Sequence, residues 1–302
     1  MAKRAAAATR RTPSVLERLR ARLPEGTEER VAQTALRALL LAFILVGGYL
    51  LVKEMKTFVC ELERFQVSPA TLTFTSLPSW VTPKVQEQLA YIPDLPERFS
   101  ILEPNLATRV AQAYERNPWV AEVKAVERHF PNRLTLGVRL RRPVAAVRYR
   151  GSYYLADGNA DRLPLRFRSW PQDDYRLPIV IGAATEPSRS GAVWQDEAVQ
   201  AGCAVAELLE MHGFDSRLGV TVVDASNVGG RRRRGDPHIV LHTASRMRIL
   251  WGRSPLQWQP GDGSQTVTRK LLYLKRLAET QNPRRLDYAD IRYDRLLVKD
   301  RS

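Results

Sequence analysis

The feature that most limits what this chain can become is an unbroken apolar run, Ala38 to Val52, set between Arg37 and Lys53. It contains Leu39, Leu40, Leu41, Phe43, Ile44, Leu45, Val46, Tyr49, Leu50, Leu51 and Val52, so a helix built from it is apolar on every face. Such a helix needs either a protein core on all sides or a bilayer. At about 1.5 Å per residue the run covers roughly 22 Å, against a bilayer core of about 30 Å. Val31 to Leu36 complete the span, with Arg37 reaching back to the headgroups, which predicts a transmembrane helix over residues 31–52. A cleaved signal peptide fits less well, because the preceding basic region is long and no small-residue cleavage site follows. A buried helix of a soluble protein is the remaining alternative.

Lys3, Arg4, Arg10, Arg11, Arg18, Arg20, Arg22, Arg30 and Arg37 precede the run, and only Lys53, Lys56 and Arg64 follow it closely. The positive-inside rule then places a basic tail, residues 1–30, in the cytoplasm and the bulk of the chain across the membrane. Residues 53–64, with Met55, Phe58, Val59 and Leu62 on one face, predict a juxtamembrane helix that continues the anchor. Lys and Arg total 47 against 32 Asp and Glu, a net +15 that suits nucleic acid, anionic lipid or an acidic protein equally. The two cysteines, Cys60 and Cys203, are too few for a disulfide framework or a zinc site, and their spacing does not decide whether they pair.

Residues 65–142 read as a small α+β unit. Leu72 and Phe74 alternate with threonines over Thr71 to Thr75, which predicts a strand. Thr82 and Pro83 open a helix with Val85, Leu89 and Ile92 on one face, and a second helix opens near Pro104 with Leu106, Val110, Ala113 and Tyr114. Asn117 and Pro118 stop it. A strand over Ala121 to Arg128, a turn at Phe130 to Arg133 and a strict alternation at Leu134, Leu136, Val138 and Leu140 complete a strand, helix, helix, strand, strand order.

Residues 143–302 read as mostly strand: Val144 to Arg150, Tyr153 to Ala156, Ile179 to Ile181, Gly219 to Val223, Ile239 to Thr243 and Met247 to Trp251. Two helices interrupt them, marked by Ala198, Ala201, Val205, Leu208 and Leu209, and by Val267, Leu271, Leu274 and Leu277. This predicts a second α+β unit on an antiparallel sheet. Arg292, Tyr293, Leu296, Leu297 and Val298 predict a short terminal strand, whose edge can accept another chain through backbone hydrogen bonds.

Chemistry is sparse. His238 and His242 have helical metal-site spacing, but Pro237 and the run Ile239, Val240, Leu241 favour a strand, where four residues span about 13 Å and cannot share a metal. No phosphate loop, Cys-x-x-Cys pair or nucleophile elbow occurs, and Asp173, Asp174 and Asp224 offer no specific pairing. The expectation is a protein without catalytic residues, cofactor, metal or small-molecule substrate. The loop Gly229 to Asp236, with Arg231 to Arg234, reads as a solvated hairpin tip, because basic runs without interleaved aromatics are weak nucleic-acid signals.

The run Asn117, Pro118, Trp119, Val120, Val126, Arg128, Pro131, Leu134, Leu136, Val138, Arg141, Pro143, Val144 and Ala145 resembles the conserved stretch of FtsQ/DivIB cell-division proteins. The resemblance continues through Tyr154 to Gly158 and Leu177 with Pro178, and returns at Asp290, Ile291, Arg292, Tyr293 and Asp294. It implies that residues 65–142 form a POTRA domain and residues 143–302 the family's β domain. It further implies a bacterial inner-membrane location with the C-terminal domains periplasmic, and a divisome scaffold in septum formation that binds FtsB/FtsL-type bitopic division proteins. Arg292 and Tyr293 match the partner-contacting positions; strand geometry adds Leu296 and Val298. Leu140 departs from the family, which usually has glutamate there. A POTRA-bearing envelope protein that assists secretion or outer-membrane assembly is the alternative function, and a basic nucleic-acid binder is a third.

Overall fold

A computed structural model describes residues 27–170, 175–257, 259, 265–280 and 285–301. The basic tail up to residue 26, and Asp173 with Asp174, lie outside them. The chain divides into two units between Phe65 and Gln66. The first contains helix α1, Thr27–Glu61, whose 35 residues extend about 52 Å, and a short 3-10 turn at Glu63–Phe65. Phe43 is 73% exposed and Leu39 68%, so within its own unit the apolar run is uncovered by the described residues. Among the described residues α1 is the helix long and apolar enough to cross a membrane. The anchor and juxtamembrane residues form one continuous helix, which ends at Glu61.

The second unit begins with a small three-stranded sheet. Strand β1, Gln66–Val67, is followed by β2, Thr73–Phe74, helix α2, Pro83–Ala90, and β3, Phe99–Ser100. Helix α3, Leu106–Glu115, precedes the hairpin of β4, Val120–His129, and β5, Arg133–Leu140. The sheet order is β2-β5-β4, with β2 parallel to β5, while β1 and β3 form a separate ribbon that two-residue strands left without a sequence signal. Val85 and Leu89 of α2, Leu106, Val110 and Tyr114 of α3, and Leu134 and Leu136 of β5 are all buried, on the faces expected from periodicity. Thr82 stands at the N-cap of α2, but its hydroxyl does not cap: it meets Tyr175 Oη at 3.2 Å. Asn117 fastens the sheet to α2, donating from Nδ2 to the Gln88 carbonyl and accepting from Trp119 N, and Trp119 Nε1 donates to Gln88 Oε1 at 2.7 Å. The Tyr114 phenol, buried without a partner among the described residues, has its pKa pushed up to about 12 by that burial.

Beyond it, one nine-stranded sheet organises the rest. Its strands are β6, Ala145–Tyr149; β7, Ser152–Ala156; β8, Arg162–Phe167; β9, Ile179–Ile181; β10, Val220–Asp224; β11, Ile239–Thr243; β12, Arg248–Gly252; β13, Leu286–Asp290; and β14, Leu297–Asp300. The order is β14-β13-β12-β11-β10-β9-β6-β7-β8. Five neighbouring pairs are antiparallel and three, β6 with β9, β9 with β10 and β12 with β13, are parallel, so the sheet is mixed but mostly antiparallel. Helices α4, Glu197–Met211, and α6, Val267–Glu279, both contact the short α5, Phe214–Leu218, which follows α4 in the chain. Val199, Cys203 and Leu209 of α4 and Tyr273, Leu274 and Leu277 of α6 share one buried cluster with Val180, Val223, Leu241 and Ile249. Burial pushes the Cys203 thiol pKa up, which leaves it an apolar packing group.

Two strands carried no sequence expectation. Strand β8 contains Pro164, which lacks a ladder donor and is tolerated there because β8 is an outer strand. Strand β13 contains Asp287 and Asp290, poor strand formers that tertiary packing overrides. The terminal strand also differs from expectation: it covers Leu297–Asp300, and Arg292, Tyr293 and Leu296 precede it.

Asp196 fixes how α4 lies on the sheet. Its Oδ1 accepts from Ala198 N and Val199 N as the N-cap, and its Oδ2 accepts from Ala184 N at 2.7 Å and Thr185 N at 2.8 Å. Burial opposes its charge, but these backbone donors outweigh burial and hold its pKa below the ordinary carboxylate value. Asp196→Ala is expected to lower stability by about 2–4 kcal/mol in urea unfolding at neutral pH. Because the folded pKa is depressed, this contribution is complete above the ordinary aspartate range and disappears as pH falls through the folded value, so wild type and variant should converge in acid. A constant difference down to the lowest accessible pH contradicts the assignment.

Candidate partner-binding edge

Strand β14 is the outer strand of the nine-stranded sheet, held by β13 through the pairs Asp290↔Leu297, Ala289↔Val298 and Tyr288↔Lys299. All four of its residues are exposed, Leu297 at 51% and Val298 at 52%, on a strand whose far side meets no other strand among the described residues. An edge with unpaired backbone groups and apolar side chains is a template for another strand.

The loop that leads into β14 is rigidly built. Asp290, at the end of β13, accepts from Arg292 N at 3.1 Å, from Arg292 Nε at 2.9 Å and, through its other oxygen, from a terminal guanidinium nitrogen at 2.7 Å. The pair is mostly buried, with side-chain exposures of 20% for Arg292 and 8% for Asp290. The hydrogen bond to Asp290 raises the Arg292 pKa further, so the guanidinium stays charged. It also lies 5.0 Å from the centre of the Tyr293 ring, which is itself 51% exposed. From α6, Tyr273 Oη donates to the Asp294 carbonyl at 2.5 Å, and Gln265 Nε2 donates to Asp294 Oδ1 at 2.6 Å. Leu296 is half-buried against the sheet's core cluster, leaving Tyr293, Leu297 and Val298 as the presented apolar groups.

Beside this loop opens a cleft of about 280 Å³ lined by Asp236, His238, Trp251, Lys270, Arg292 and Tyr293. Lys270 is buried on α6, with Nζ 3.3 Å from the Arg253 carbonyl and 5.1 Å from the Trp251 ring. Trp251 Nε1 and His238 Nδ1 are buried with no hydrogen-bond partner among the described residues. Burial, reinforced by Arg253, lowers the His238 pKa and keeps the imidazole neutral at physiological pH.

No protein-family model matches the chain. It is similar to the cell division protein FtsQ of Geobacter sp. strain M21, with 26% identity over 256 residues that cover 84% of this chain and 81% of the relative. It is similar also to the cell division protein FtsQ of Geotalea daltonii, with 30% identity over 193 residues, 63% of this chain and 62% of that relative. Both relatives are FtsQ proteins, so FtsQ is the family that the chain is similar to. The likeness supports a role in cell division, and α1 supports a membrane anchor.

Of the four residues assigned to partner binding from the sequence, Val298 lies on the exposed strand β14, Arg292 and Tyr293 lie in the loop before it, and Leu296 is turned partly inward. Arg292 and Tyr293 occupy the loop rather than the strand, because the Asp290 carboxylate turns the backbone as β13 ends. Sequence reasoning missed Leu297 as a presented side chain, Trp251 and Lys270. Lys270 had a signal: it lies four residues before Leu274 and three before Tyr273, on the buried face of α6.

Gly252 makes the Arg292 position possible. It ends β12 at a φ of 87°, and a Cβ there would meet Arg292 Cγ at 2.9 Å. Gly252→Ala is expected to cost about 1–2 kcal/mol from backbone strain alone and to displace Arg292 from Asp290 as well. Gly151→Ala, with a φ of 76° and open space around its Cβ, reports the strain alone. Thermal melting should show the larger loss at Gly252; equal losses would mean Arg292 is not held by this contact.

Proposed function

We propose that the protein is a non-enzymatic divisome scaffold that holds FtsB/FtsL-type bitopic division proteins at the edge of β14, with Arg292, Tyr293, Leu296 and Val298 as its contact residues. The observation that carries this is the exposed outer strand with Leu297 and Val298 uncovered, next to a Tyr293 ring fixed in place by Arg292 and Asp290. A partner strand extends the sheet through backbone hydrogen bonds, while Tyr293 packs against the partner's side chains as an anchor. Arg292 acts mainly by positioning: its guanidinium is spent on Asp290 and supports the Tyr293 face. The excess of Lys and Arg before the apolar run supports an N-terminus in the cytoplasm of a bacterial inner membrane and a periplasmic main unit.

One labelling experiment tests site and orientation together. In a Cys60→Ser background, Val298→Cys should react with a membrane-impermeant maleimide in intact spheroplasts, and co-expressed partner should protect it. Reaction only after permeabilisation contradicts the orientation, and full reaction in the presence of bound partner contradicts the edge. Tyr293→Ala should weaken partner capture at least about tenfold, the range of an aromatic hot spot, with little change in stability.

A further inference from the structure

Arg231 to Arg234 are exposed on the connection between the antiparallel strands β10 and β11. Arg231 and Arg232 line one wall of a cleft of about 780 Å³ whose other wall carries Arg148, Tyr149, Arg150 and Tyr153 from the β6–β7 hairpin. Both walls are held in place. In the loop, Asn227 Oδ1 accepts from Arg232 N and Arg233 N, each at 2.9 Å, while its Nδ2 donates to the carbonyls of Arg233, Asp236 and Pro237. Arg231 Nε closes the loop on the Val228 carbonyl at 3.0 Å. On the hairpin, Arg150 adopts a left-handed φ of 44° beside Gly151 at 76°, a turn in which asparagine or glycine is the unstrained choice. Its guanidinium lies 5.3 Å from the Tyr149 ring.

These guanidiniums gather from two distant stretches of sequence and repel one another. The ion pair between Arg150 and Glu186, at 3.5 Å with side-chain exposures of 75% and 78%, is solvent-screened and offsets little of that repulsion. A preformed cluster of guanidinium forks over a polar cleft matches a multiply charged oxyanion, since each fork can hold two oxygens. We infer that this cleft is a binding site for a phosphate group carrying two or more negative charges, or for clustered phosphodiester headgroups. A single carboxylate leaves most of the cluster uncompensated. The site lies on the β6–β7 and β10–β11 connections, so it is independent of the β14 edge.

The test is calorimetric titration of inorganic pyrophosphate into the full chain in uncharged detergent at low ionic strength. Saturable binding is expected, weakened about tenfold or more in the double variant Arg148→Ser, Arg232→Ser. Both side chains are exposed, and the melting temperature should stay unchanged. The charge-matched double variant Arg98→Ser, Arg133→Ser, remote from the cleft, should bind as wild type. Absent saturation, or an equal loss in both double variants, would overturn the site and leave only a net-charge effect. Repeating the titration in nanodiscs identifies the source. Pyrophosphate affinity that falls when phosphatidylglycerol replaces phosphatidylcholine assigns the cleft to lipid headgroups, and unchanged affinity assigns it to a free phosphate ligand.

Discussion

Burial of α4 and α6 against one face of the nine-stranded sheet is the interaction on which the C-terminal architecture depends. Cys203 and Leu209 of α4, Leu274 and Leu277 of α6, and Val180, Val223, Leu241 and Ile249 of the strands belong to one cluster, so helices and sheet are stable only together. Gly202 sets the approach of α4, since a Cβ there would come within 2.5 Å of Val180 Cγ1. Once that packing is set, the strand order leaves β14 at one margin and β8 at the other. The two margins differ in chemistry. Strand β8 carries Pro164, which discourages pairing, whereas β14 exposes adjacent leucine and valine with no proline. That asymmetry makes the C-terminal margin the one suited to a partner strand.

The apolar helix supplies a second constraint of a different kind. Side chains such as Phe43 and Ile44, exposed on a helix that the described residues of its own unit leave uncovered, are unstable in water and require hydrocarbon around them. A chain anchored in this way meets other anchored chains within a thin layer, where effective concentrations are raised by tethering rather than by new contacts. A modest edge such as β14 can then support a specific assembly without a large interface.

The elements most legible in the sequence were those whose burial follows a simple period. Leu134 and Leu136 on β5, Val85 and Leu89 on α2, and Leu106, Val110 and Tyr114 on α3 all bury on the faces their spacing implies. Strand β8 escaped because Pro164 argues against a strand unless its place at the margin is known, and β13 because its aspartates are unfavourable until β12 and β14 flank it. At the candidate site, the residue types Arg292 and Tyr293 were legible, but their placement was not. The backbone turns at Asp290 through side-chain hydrogen bonds that no hydrophobic pattern encodes. The arginine loop is solvent-exposed, but its internal order was not legible for a similar reason: Asn227 organises it from a distance of several residues.

Backbone pairing at β14 is the central element of this account, and amide hydrogen exchange measures it directly. Exchange should be followed across residues 286–301 in the full chain, alone and with the membrane-anchored division protein proposed to bind it. The account predicts slower exchange at Leu297 to Asp300 on complex formation, with β8 unaffected. A saturated complex in which those amides exchange at their original rate would contradict it.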